Sequence, residues 1–125
     1  MPADFRIEQE QRLIRTRAWG VLSDAETLTH YSEIAHHPAF DPTFNLLCDL
    51  RGVTFIEAAP HTLRDLARLS TFARGTRRAF IVSVDEHFGL ARMLQAFCEL
   101  QGTEVGVFRS MREAHDWLGL PPPES

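Results

Sequence analysis

The chain has 125 residues, which fits one domain of the usual size, roughly 100–150 residues. Apolar residues make up 44% and charged residues 24%, which excludes general disorder, a collagen-like repeat and a disulfide-stapled miniprotein. The formal net charge of -4 gives no pointer to nucleic acid or to an anionic membrane.

Phe5 and Ile7 alternate with Arg6 and Glu8, the pattern of a half-buried strand. Glu8 to Gln11 is turn-like. Arg12 to Trp19 then alternates again, with Ile14, Thr16 and Ala18 on one side and Arg15 and Arg17 on the other. These two runs predict a hairpin. Ser23-Asp24-Ala25-Glu26 is a capping box and opens a helix with Leu28, Tyr31, Ile34 and Ala35 as its stripe. That helix is expected to stop at His36-His37-Pro38. Asn45 to Leu50 reads as a buried strand. Pro60 fits the first turn of a second helix, with Leu63, Leu66, Ala67 and Phe72 inward and Gly75 beyond its end. Arg78 to Val84 holds the apolar run Ala79-Phe80-Ile81-Val82, a buried strand. Asp85-Glu86 opens a third helix, with Leu90, Met93, Leu94, Phe97 and Cys98 on one face and its stop at Gly102. Glu104 to Phe108 is the last strand. Ser110-Met111-Arg112-Glu113 is a second capping box, and Met111, Ala114 and Leu118 line the helix that Gly119 closes.

The order β-β-α-β-α-β-α-β-α predicts a single α/β domain over residues 1–120 and a Pro-rich tail over 121–125. Strands alternating with helices pair in parallel through right-handed crossovers, while the hairpin makes the first strand antiparallel. The expected product is a five-stranded mixed sheet with four helices. The N-terminus carries no secretory signal, no apolar run reaches the ~20 residues of a membrane span, and Cys48 and Cys98 lack any ligand or redox spacing. A cytoplasmic protein with two reduced, buried thiols is expected.

The element order and one stretch, Asp49-Leu50-Arg51-Gly52-Val53-Thr54-Phe55-Ile56-Glu57-Ala58-Ala59-Pro60, resemble the STAS domain of anti-sigma-factor antagonists. In those antagonists the run is strand, loop, then Asp-Ser-Ser-Gly at a helix start, and the second serine is phosphorylated by the partner kinase. Here Glu57 matches the Asp, Ala58 and Ala59 stand at the serines, and Pro60 stands at the Gly. Without a hydroxyl at Ala59 that switch cannot operate there. Thr54, Thr62 and Ser70 are nearby hydroxyls that nothing singles out. The segments Arg78 to Val82, Phe88 to Met93 and Val105 to Arg109 are similar to a family of small bacterial STAS-like proteins of unassigned function, also likened to the lipid-exchange CRAL-TRIO fold.

In open α/β sheets ligands bind beyond the carboxyl ends of the parallel strands. That edge is expected to carry Asp24, Glu57 with His61, Asp85 and Glu86 with His87, and Arg109 with Ser110. Two histidines beside carboxylates suit acid–base chemistry or a metal, but Asp24, Asp85 and Ser110 also serve as caps and surface histidines are common. No nucleophile elbow, Walker motif or dinucleotide fingerprint is present, so no catalytic, cofactor or metal residue is assigned. The candidate interaction or ligand residues are Glu57, Ala59, His61, Asp85, His87, Phe88, Gly89 and Arg92. Phe88, Gly89 and Arg92 suit a pocket rim or a subunit contact, or else Gly89 lets its helix pack closely while Arg92 runs its stem along the surface. His115 on an apolar stripe reads as a satisfied structural residue. Trp19 beside Arg15 and Arg17 suits a protein interface, including a homodimer. The first functional reading is a non-enzymatic interaction module with an unidentified protein partner. The alternatives are a carrier of a small apolar or lipid-like molecule and, behind it, an enzyme using His61 and His87.

Overall fold

A computed structural model describes residues 3–57, 59–68 and 72–123. Its strands are β1 (Ala3–Glu8), β2 (Leu13–Leu22), β3 (Asn45–Ile56), β4 (Arg77–Ile81) and β5 (Glu104–Phe108). The helices are α1 (Asp24–Ala35), α2 (Pro60–Arg68), α3 (Asp85–Leu100) and α4 (Met111–Leu118). The order matches the sequence reading. The strands lie side by side in chain order, β1 antiparallel to β2 and the other pairs parallel.

That topology decides the layers. Each crossover from β2 to β5 steps the same way across the sheet, and right-handed crossovers then put α1, α2 and α3 on one face. Ile34, Leu63, Ala67, Leu94 and Cys98 meet Ile14, Leu46, Cys48, Phe80 and Val105 there. With no strand to follow it, α4 turns back onto the other face, where Ala114 packs against Leu13, Leu47, Ala79 and Ile81. A side chain at Gly106 would run into the Phe108 and Trp117 rings, at 2.7 and 3.1 Å from its Cβ, so glycine lets α4 sit down on β5.

Caps explain the helix ends. Ser23 accepts from the Glu26 N–H and completes the capping box of α1. Ser110 accepts from the Glu113 N–H at 3.2 Å, but the Glu113 carboxylate takes the Ser110 hydroxyl at 3.0 Å, so the second box is half made. Gly119 closes α4 in the left-handed region at φ 73°. Asp85 is not a cap: Val84 holds the N-cap position of α3 without a side-chain bond, and Asp85 pairs with Arg109 at 2.6 Å.

Other boundaries differ. β3 runs on to Ile56 because β2 continues beside it, register-shifted past Trp19 and Gly20, after β4 has ended. The result is a two-stranded parallel extension. Ala18, Leu22 and Val53 are buried on one side of it, while Trp19 (42% exposed) and Phe55 (59%) face outward. β4 ends at Ile81, short of Val84. α2 ends at Arg68, and Phe72 is buried from the segment beyond it. Leu28 and Met93 leave their expected stripes and are exposed. The phase of α1 instead turns His30 and Ile34 inward, flanked by Thr27 and Tyr31.

Both cysteines are free and buried, as expected. Burial pushes the Cys48 thiol up to about 12 and raises Cys98 as well, which leaves neither a nucleophile. No helix among the described residues is long and apolar enough to cross a membrane.

Candidate functional site

At the carboxyl ends of β2 and β3, the sheet and helices α1 to α3 enclose a cavity of about 80 Å³. Its floor is Thr16, Ala18, Cys48, Leu50 and Phe80, and its walls include Leu63, Leu66, Leu90, Ala91 and Leu94. A second chamber of about 310 Å³ continues along α1, and Tyr31, Leu66 and Leu94 border both. This space exists because α2 packs along α3, whereas α1 makes no comparable contact with α2.

The polar members of the first cavity come from far apart in sequence. Asp24, at the first turn of α1, takes the Thr62 hydroxyl on Oδ2 at 3.0 Å. Glu57 leaves β3 and accepts the Asp24 backbone N–H at 3.1 Å, so its charge meets the N-terminus of α1 rather than that of α2. His30 lies deeper. Its Nε2 meets the Thr16 hydroxyl, and Phe5 and Tyr31 pack their rings edge-on around it. Desolvation lowers the pKa of His30, against the opposing pull of Glu33 and Asp4. His87, in the first turn of α3, is only 5% exposed.

Three side-chain atoms on this lining are buried without a hydrogen-bond partner among the described residues: Asp24 Oδ1, His30 Nδ1 and His87 Nδ1. Leaving one such atom unpaired costs about 1–3 kcal/mol, so three around one cavity mark a place where folding stability has been given up.

The sequence-predicted residues divide accordingly. Glu57 and His87 line the cavity. Ala59 is half-buried beside it, and its carbonyl accepts the Thr62 and Leu63 N–H groups that start α2. His61 is exposed and does not join His87, so the expected pair of histidines is not assembled. His87 is not one of the common surface histidines: it is buried in the first turn of α3. Asp85, Phe88 and Arg92 form a different, outward group. Arg92 and Arg109 both stack on the Phe88 ring, at 5.1 and 5.0 Å. Gly89 is exposed, and a Cβ there would meet nothing within 4 Å, so close packing is not its reason. Among the hydroxyls near the vanished phosphoacceptor, Thr54 is exposed, Thr62 is buried and bonded to Asp24, and Ser70 lies outside the described residues.

Sequence reasoning missed His30, Thr16 and Thr62. The usable signal was phase: Asp24, Thr27, His30, Tyr31 and Ile34 share one helical face, and a helix beside a buried strand must turn one face inward. On the lining of the second chamber, Arg78 is buried with its guanidinium 4.6 Å over Phe72. The hairpin arginines are locally paired, Arg17 with Asp4 and Arg15 with Glu8. No three His, Cys, Asp or Glu side chains among the described residues are grouped to hold a metal ion.

No family model matches the chain, and no curated protein matches it. A solved structure does: an uncharacterized DUF3478-family protein with a SpoIIAA-like fold from Shewanella loihica PV-4. It is similar at 24% identity and TM-score 0.60 over 93% of each chain. The chain thus shares the SpoIIAA-like fold, the STAS-like architecture that the sequence resemblance implied.

Proposed function

We propose that this protein is a non-enzymatic, STAS-like binding module that takes up a small apolar molecule between α1 and the sheet. The observation that carries the reading is the two-chambered, mostly apolar cavity at the strand edge where open α/β sheets receive ligands. The first chamber alone is smaller than the ~150 Å³ cavity that admits benzene. Leu66 and Leu94 border both chambers, and a change of their rotamers would join the two and make room for a chain-like ligand. The fold is the one likened to lipid exchange, which agrees with this reading and does not carry it.

Native mass spectrometry of protein purified gently from its own cell extract tests the proposal. A retained mass of a few hundred daltons is expected, and Ala91→Phe, which fills the first chamber, should abolish it. Protein that is always ligand-free, and folded wild type that gains no mass from added alkyl compounds, would overturn it.

One observation favours a second reading, an interaction module. Trp19, Val21 and Phe55 form an exposed apolar patch on the β2–β3 extension, beside Arg17 and Arg51. A protein partner or a second copy of the chain would cover it. A stable dimer lost in Phe55→Ser, with no retained small molecule, would put this reading first.

A further inference from the structure

We infer that the ligand's polar end is a hydrogen-bond donor, a hydroxyl or an amine, and not a carboxylate. This inference rests on the proposal that the cavity takes an apolar molecule, and it adds the chemistry of the head group.

The bonding around His30 assigns a polarity to one wall, through the single proton of the Thr16 hydroxyl. Thr16 gives its single hydroxyl proton to the Asp4 carbonyl at 3.0 Å. Its contact with His30 Nε2 therefore needs the imidazole to donate from Nε2. A neutral imidazole protonated at Nε2 has a bare lone pair at Nδ1, and that atom is buried with no partner among the described residues. His30 is 6% exposed, so its free acceptor cannot be served by bulk solvent.

The first turn of the same helix repeats the sign. A carboxylate only accepts, and with Oδ2 holding Thr62, Asp24 Oδ1 is a second buried acceptor without a donor. The remaining threonine on the lining is also committed, since Thr27 gives its proton to the Ser23 carbonyl at 2.9 Å. Among the described residues no arginine lines this chamber, the sequence holds no lysine, and Glu57 adds a second carboxylate to the rim. His87 and the Tyr31 hydroxyl can each give or take a proton, so neither reverses the balance. Acceptors outnumber free donors. A hydroxyl or ammonium end placed in this chamber would satisfy them, whereas a fatty-acid carboxylate placed there would meet two like charges, the buried Arg78 lying on the second chamber and not on this one.

The test is calorimetric titration of the full chain at pH 7.5 with three probes of equal chain length: 1-octanol, octylamine and octanoate. We expect the neutral alcohol and the amine each to bind at least tenfold more tightly than octanoate. The Asp24→Asn variant should narrow that ratio at least threefold. The exposed Asp116→Asn control, which removes the same charge far from the cavity, should leave it unchanged. His30→Phe should weaken octanol by fivefold or more, which separates a head-group contact from general charge repulsion. Octanoate binding as tightly as octanol would overturn the inference and leave the carrier reading standing. An octanol preference unmoved in folded Asp24→Asn and in folded His30→Phe would overturn the assigned contacts. No uptake of any probe by the folded wild type would overturn the carrier reading and this inference together.

Discussion

The two faces of the sheet bury the same residue type to opposite effect. On the α4 face, His115 is 5% exposed and both ring nitrogens are engaged. Nδ1 meets the Pro121 carbonyl at 2.7 Å, and Nε2 lies 3.3 Å from the Arg15 guanidinium. On the three-helix face, His30 and His87 are as deeply buried, yet each has a nitrogen with no partner among the described residues, beside a cavity. A buried histidine is a structural residue where its bonds close within the protein. It marks a candidate site where they do not. One helix on a sheet can settle until its groups are matched. Of the three helices sharing a face, α1 and α2 are joined at their first turns by the Asp24–Thr62 bond and leave a gap beyond it.

Core truncation should separate the faces most. Leu47→Ala, fully enclosed beneath α4, is expected to lower stability by about 3–5 kcal/mol. Leu94→Ala should cost about 2 kcal/mol, the low end of the range, because Leu94 already borders open space. Urea denaturation checks both, and equal costs would mean that the cavity wall is packed like the core.

Removing histidines sharpens the contrast. His115→Leu should cost about 1–3 kcal/mol, since it strands the Pro121 carbonyl and Arg15. His87→Leu replaces an unpartnered buried nitrogen with carbon, so it should be neutral or raise stability by up to about 1 kcal/mol. A loss above that figure in His87→Leu would show that its nitrogen has a partner.

The pH dependence is expected to come from the same face. Burial holds His30 below its ordinary value of 6.5. Between that lowered value and 6.5, the unfolded chain binds a proton that the folded chain excludes. Stability should therefore be full above pH 6.5 and fall as the pH drops through this window. The fall should be absent in His30→Phe. A urea midpoint that stays flat between pH 7.5 and 5.5 would contradict it.

The smallest effect is expected at His61, exposed on α2. His61→Ala should change stability by less than about 0.5 kcal/mol and leave ligand uptake unaltered.

Most of the fold was legible because local signals agreed. The Ser23 capping box, the Gly119 stop, the alternation in Arg12 to Trp19 and the apolar run at Ala79 each matched the element they predicted. The site was less legible. Glu57 and His87 could be placed at the right edge from strand order alone. His61 is as close to that edge in sequence, yet it faces solvent, because one step around a helix turns a side chain by about 100°.

The sequence by itself determined the element order, the antiparallel hairpin, the parallel strands and the burial of Cys48 and Cys98. These depend on periodicity, caps and turns, which act over a few residues. Only the tertiary structure decided which polar groups share the cavity. Asp24 meets Thr62 across 38 positions, and Thr16 meets His30 across the β2–α1 turn. It also decided that α1 and α2 stand apart beyond the Asp24–Thr62 bond. Whether a buried polar atom finds a partner depends on what the sheet brings opposite it, and no local pattern records that.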